Sequence, residues 1–169
     1  VFTKEGKVAI LKKLIVQHGE LHLLYSALGQ AQAQAGDMKA GLATFRLAEQ
    51  LFPRNVPITI RYAQTLMADG QNALAHQTLL DLFNNVDPTP DQIQLTARAA
   101  SAAGDQGDAY YYMGVYQTET GNLPLAAEQY RLALNTPHLT HVQRARITAS
   151  LREVDDYLAS TRQQRQTAE

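Results

Sequence analysis

Stacked antiparallel helix pairs, about nine helices forming an all-α, right-handed superhelical solenoid, are what three features of this 169-residue chain predict. The first is an echo. Tyr25, Leu28, Gly29, Gly36, Gly41, Phe45, Ala48 and Pro53 are followed one period of 34 residues later by Thr59, Tyr62, Ala63, Gly70, Ala75, Leu79, Leu82 and Asp87. The second is size patterning within each copy. A large residue is followed at once by a small one, Leu28-Gly29 and Tyr62-Ala63, which lets two helices approach closely. A second small residue, Gly41 or Ala75, does the same from the partner helix, and Phe45 or Leu79 fills the space between them. The third is punctuation: most of the ten Gly and six Pro stand at expected helix junctions rather than inside periodic runs.

The spacing resembles that of the tetratricopeptide repeat, TPR, whose unit is two antiparallel helices. One such pair cannot bury its apolar face alone, so units stack and leave a long inner surface. In order along the chain, residues 1–19 read as an orphan helix carrying Ile10, Leu11, Leu14 and Ile15 on one face. Residues 20–55 form the clearest repeat, with Gly36 turning the chain, Asp37 placed to cap the next helix and Pro53 closing the unit. Residues 56–89 form the next, with Asn72 as a cap, and end in Asp87-Pro88-Thr89-Pro90-Asp91, where two prolines forbid helix continuation. Residues 90–138 hold shifted repeats, in which the helix at 107–119 fits either role in a pair. Thr140 and Gln143 form a capping box for a capping helix over 139–160, with the narrow stripe Ile147, Leu151, Val154 and Leu158 and polar remaining faces. Residues 161–169 lose the stripe and read as a frayed tail. The whole of 1–169 reads as one TPR-like domain.

Composition removes several alternatives. A hydrophobic share of 45% is enough for a continuous core. A net charge of -1 supplies no basic field for phosphates, so nucleic acid is not an expected partner. All five Lys (Lys4, Lys7, Lys12, Lys13, Lys39) lie in the first quarter. The absence of Cys rules out disulfides and thiolate chemistry and leaves the redox compartment open. The apolar stretch Val8 to Val16 is interrupted by Lys12 and Lys13, far short of a membrane span. The chain starts inside a periodic segment and reads as a piece of something longer.

Candidate chemistry is sparse. His18, Glu20 and His22 lack the helical spacing of a zinc peptidase site and read as a polar helix junction, and His138 with His141 reads as a surface pair. No glycine-flanked Ser elbow or phosphate loop occurs, so no catalytic residue, metal site or cofactor is assigned. Tyr110-Tyr111-Tyr112 cannot all face a core, because successive helical residues point about 100° apart. Either two rings pack and the third lies along a loop, or Tyr111 faces the inner surface and receives a peptide. The rest of that surface is expected from the first helix of each pair: Leu23, Ser26, Gln30 and Gln34, then Ile60, Gln64 and Met67, then Gln94 and Arg98. The expected peptide-binding groove is therefore Gln30, Gln34, Gln64, Met67, Arg98 and Tyr111, suited to an extended backbone. The Lys and Asn set that clamps a terminal carboxylate in chaperone-binding TPR domains is missing, since Ser26 and Gln30 stand at those positions.

A narrower resemblance covers residues 107–158. Tyr112-Met113-Gly114, Gly121-Asn122-Leu123-Pro124-Leu125-Ala126, Tyr130-Arg131-Leu132-Ala133-Leu134, and Leu139-Thr140 with Gln143-Arg144-Ala145-Arg146-Ile147 are similar to the end of periplasmic, TPR-bearing zinc metallopeptidases of the beta-barrel assembly-enhancing kind. The resemblance implies a C-terminal, non-catalytic module in the periplasm of a Gram-negative bacterium. Its implied partners are its own peptidase domain, outer-membrane proteins and their assembly complex. The zinc would belong to the peptidase domain, since none of the zinc-binding motif lies in this chain. A stand-alone TPR scaffold with no enzyme attached is the alternative.

Overall fold

The structure, a computed structural model, describes residues 3–167. It divides into two compact units, Val1–Asp87 and Pro88–Glu169. Val1, Phe2, Ala168 and Glu169, the ends of the orphan helix and tail expected from the sequence, lie outside the described residues.

The first unit holds α1 (Lys4–Gln17), α2 (His22–Gln34), α3 (Met38–Leu51), α4 (Val56–Ala68) and α5 (Asn72–Phe83). Each helix packs on the next, and α2 also touches α4. Starts follow from side chains that satisfy orphan N–H groups. Thr3 Oγ1 accepts from Gly6 N–H at 3.1 Å, Asp37 Oδ1 from Ala40 N–H at 3.0 Å, and Asn55 Oδ1 from Ile58 N–H at 3.2 Å. Between α2 and α3 the chain reverses at Gly36, whose φ of 93° favours glycine. The expected Asn72 cap is corrected: Gln71 holds the N-cap position and makes no side-chain cap bond. The turn is tight, with Gln71 N–H donating to Leu66 O at 2.9 Å, so the helix begins at Asn72 itself.

The size patterning acts as the spacing argument requires. A Cβ on Gly29 would lie 2.8 Å from Phe45 Cε2, and one on Gly41 would lie 2.8 Å from the Gly29 carbonyl oxygen. Only glycine permits this approach of α2 to α3. Phe45, fully buried, fills the seam and stacks on Tyr62 of α4 with centroids 6.2 Å apart. Ile58, Ala63, Leu66, Ala75, Leu79 and Leu82 complete the core of this unit.

The second unit holds α6 (Pro90–Ala102), α7 (Gln106–Glu119), α8 (Leu123–Leu134) and α9 (His141–Thr167). Pro90 occupies the first helical position of α6, where its missing N–H costs nothing, and Thr89 with Gln92 closes a capping box that sequence reading did not identify. The expected Thr140–Gln143 box is present. Gln143 N–H donates to Thr140 Oγ1 at 3.1 Å and Thr140 N–H donates to Gln143 Oε1 at 3.0 Å. α7 packs on α6 before it and α8 after it, so the segment that fitted two roles in the sequence fills both. A Cβ on Gly114 would lie 2.6 Å from Tyr130 Cδ1, the same large-against-small contact as Gly29 and Phe45. Of the expected α9 stripe, Ile147 and Val154 are buried and Leu151 and Leu158 pack against the same cluster.

α9 extends to Thr167, past the point at which the sequence reading let the chain fray. Loss of an apolar stripe removes tertiary contacts, not helix propensity, and Arg and Gln are good helix formers. No helix among the described residues is long and apolar enough to cross a membrane.

Candidate functional site

A cavity of about 280 Å³ opens in the first unit between α2, α3 and α4. Gln30 and Gln34, one turn apart on α2, form one rim; Arg61, Gln64 and Thr65 of α4 form the other. Ala33, Met38 and Ala68 make an apolar floor over the buried Phe45 ring. The glycine contacts bring α2 onto α3 and hold the Phe45 ring between the helices, beneath the cavity and without exposed surface. Arg61 Nη1 donates to Gln30 Oε1 at 2.6 Å, joining the two rims, while Thr65 Oγ1 donates back to the Arg61 carbonyl at 2.8 Å. Away from the cavity Thr44 Oγ1 donates to the buried Gln32 Oε1 at 2.6 Å and fixes α3 against α2.

Three residues expected to line a groove, Gln30, Gln34 and Gln64, thus meet at one cavity. The other three lie elsewhere. Met67, half-buried on α4, does not line it. Arg98 lines a separate cavity of about 340 Å³ in the second unit with Gln106, Tyr110, Met113 and Gln129. Tyr111 is half-buried in the packing of α7, α8 and α9: the Arg146 guanidinium lies 4.0 Å from its ring centroid and the Tyr130 ring 5.8 Å away. Tyr110, its neighbour, is the ring that reaches an open cavity. Of the wider inner surface expected from the sequence, Ser26 is buried and Leu23 is exposed.

Sequence reasoning missed Arg61 and the cluster around Arg146. Arg61 stands three residues before Gln64, one turn back on the same face, and that spacing was the available signal. Arg146 of α9 pairs with the buried carboxylate of Asp108 at 2.5 Å and covers Tyr111 and Tyr112. Gln143 Nε2 donates to Asp108 Oδ1 at 3.0 Å and Asp105 Oδ2 at 3.0 Å, so one residue caps α9 and ties it to the start of α7. Asp108, Tyr111 and Tyr112 are spaced at i, i+3 and i+4, which marks one helix face, but no local signal named Arg146 as its cover.

This packing perturbs two phenols. Burial pushes the Tyr112 hydroxyl up to about 12, against a smaller lowering by Arg146. Burial also raises Tyr130, against the Thr118 hydroxyl 3.2 Å away, which lowers it. A phenol whose folded pKa is raised favours the protonated folded state. For Tyr112 that contribution is therefore intact below the ordinary tyrosine range and is lost as pH rises from about 10 toward about 12. Alkaline spectrophotometric titration should show phenols ionising later than the remainder, with unfolding accompanying them. Arg146→Gln should move the Tyr112 midpoint higher still; a single unshifted transition for every tyrosine would contradict this arrangement.

No protein-family model matches the chain, and no curated protein matches it. Solved structures do. MamA 41-end from Desulfovibrio magneticus RS-1 is 14% identical, with a TM-score of 0.61, over 93% of this chain and 86% of that one. A MamA RS-1 ArsTM double mutant is 15% identical, with a TM-score of 0.62, over 92% of this chain and 87% of that one. A thermophilic TPR protein of Thermus thermophilus is 12% identical, with a TM-score of 0.53, over 88% and 90% respectively. Identities this low speak to architecture. The all-α, TPR-like fold expected from the 34-residue echo is borne out.

Proposed function

We propose that this chain is a non-catalytic protein-binding module that holds extended polypeptide in the amide-rimmed cavity of its first unit. The observation that carries the reading is the convergence of Gln30, Gln34 and Gln64 with Arg61 around one cavity. A carboxamide both donates and accepts, which is what an extended backbone with alternating N–H and C=O groups requires of its host. The apolar floor accepts a side chain between those contacts.

The finer reading is that the module is the C-terminal TPR part of a periplasmic zinc metallopeptidase, recruiting outer-membrane proteins or their assembly machinery. Its support is the residue pattern over 107–158. In that setting the module works by tethering: a bound segment is held near a separate active site at raised effective concentration. A stand-alone TPR scaffold with no enzyme attached is the competing reading. The gene sequence preceding Val1 separates them, since a His-Glu-x-x-His helix there supports the peptidase and its absence removes it.

Binding itself is tested with fluorescein-labelled, dephosphorylated β-casein as an unfolded polypeptide. Anisotropy should rise on titration, and Ala68→Trp, which fills the floor from an exposed helix end, should weaken the affinity about tenfold, or ~1.4 kcal/mol. Undiminished binding by that variant, or no binding by the parent, overturns the assignment of the cavity.

A further inference from the structure

We infer that each of the two units reads one acidic side chain of a bound, extended polypeptide through a lone arginine, Arg61 in the first and Arg98 in the second. The inference rests on the peptide-holding reading and adds the chemistry of the partner. Asp and Glu number 16 in the chain, yet none lines either cavity, and each lining contains one guanidinium. Two separate cavities with the same charge pattern point to the same complementary group.

The surroundings of each arginine fit a carboxylate flanked by apolar residues. A guanidinium has five N–H donors in a planar fork, and the Gln30 bond uses one of those of Arg61. The rest of the fork can take a carboxylate side-on with two parallel bonds. Beside Arg61 lie Ala33, Phe45 and Ala68, and beside Arg98 lie Ala97, Ala109 and Met113, so each cation borders a small apolar floor. Each cavity also brings two or more carboxamides, Gln34 and Gln64 in one and Gln106 and Gln129 in the other, to meet the backbone on either side. Both arginines are exposed, so their charge attracts a partner before contact but is screened by salt.

The proposal commits to a side-chain carboxylate rather than a chain terminus. Four fluorescent alanine- and valine-rich peptides test it: three blocked at both ends and carrying Glu, Gln or Lys at the central position, and a fourth carrying Gln with a free C-terminal carboxylate. At low salt the Glu peptide should bind about fivefold more tightly than the blocked Gln peptide and more tightly still than the Lys peptide, the advantage shrinking as salt is added. The double variant Arg61→Gln with Arg98→Gln should bind all four alike while keeping the helix signal of the parent. Equal binding of the Glu, Gln and Lys peptides by the parent overturns the inference and leaves the peptide-holding reading standing. A free-carboxylate Gln peptide that matches the blocked Glu peptide overturns the assignment to a side chain. Failure of every peptide to bind overturns the inference and the peptide-holding reading together.

Discussion

Phe45→Ala should cost the first unit about 3–5 kcal/mol, the range for truncating a fully buried aromatic ring. The ring is wholly inaccessible, stacks on Tyr62 and seals the seam that Gly29 and Gly41 open between α2 and α3. Its neighbours cannot collapse into the space, because Gly29 contributes no side chain and the helix backbones already touch. A double-mutant cycle isolates the cause. In the parent, Gly29→Ala should destabilise, although alanine is favoured over glycine within a helix by about 1 kcal/mol, because its Cβ would press on the Phe45 ring. In the Phe45→Ala background the same change should become neutral or stabilising, since the obstructing ring is gone. Urea denaturation followed by helix ellipticity reads both. Additive effects would mean that the large-against-small contact does not hold these helices together.

Arg146→Ala should cost the second unit about 3 kcal/mol, at the lower end of the loss for breaking a buried ion pair. The carboxylate of Asp108 is buried and the guanidinium meets it at 2.5 Å while lying on the Tyr111 ring, so truncation removes a charge partner and a ring contact together. Arg146→Lys should recover only part of the loss, because an ammonium cannot lie flat on the ring while directing an N–H at the carboxylate. By contrast, Arg131→Ala, which breaks the exposed pair with Asp155 at 2.7 Å, should cost less than about 1 kcal/mol. If the two alanine variants lose equal stability, Arg146 is not what fastens α9 to α7.

How far the sequence carried the fold depended on whether each cause was local. Helix positions and the tight seams were legible because Gly29, Gly41 and Phe45 sit at fixed spacing, and a repeat shows that spacing twice. Caps were legible where one side chain serves its own helix, as at Asp37 and Thr140. The start of α5 was not, because the turn before it, rather than Asn72, fixes its first residue. The three glutamines of the first cavity could be placed from helix register alone. Tyr111 could not, because what determines its place is Arg146, which comes from α9 and lies 35 positions further along the chain. Arg61 escapes the pattern for a different reason: Ile60 and Arg61, four and three residues before Gln64, fit one helix face equally well, and it is Arg61 that borders the cavity.

Chemical-shift mapping of the isotopically labelled protein, titrated with the blocked Glu peptide, tests the central claim most directly. The claim is that close helix approach in the first unit leaves a cavity that holds polypeptide. Perturbations should concentrate on the amide groups of Gln30, Gln34 and Gln64 and on the backbone of Thr65 and Ala68, with the Arg98 cavity responding in parallel. Shifts concentrated on the exposed face of α9 around Arg152 and Asp156, or none at all at saturating peptide, would contradict it.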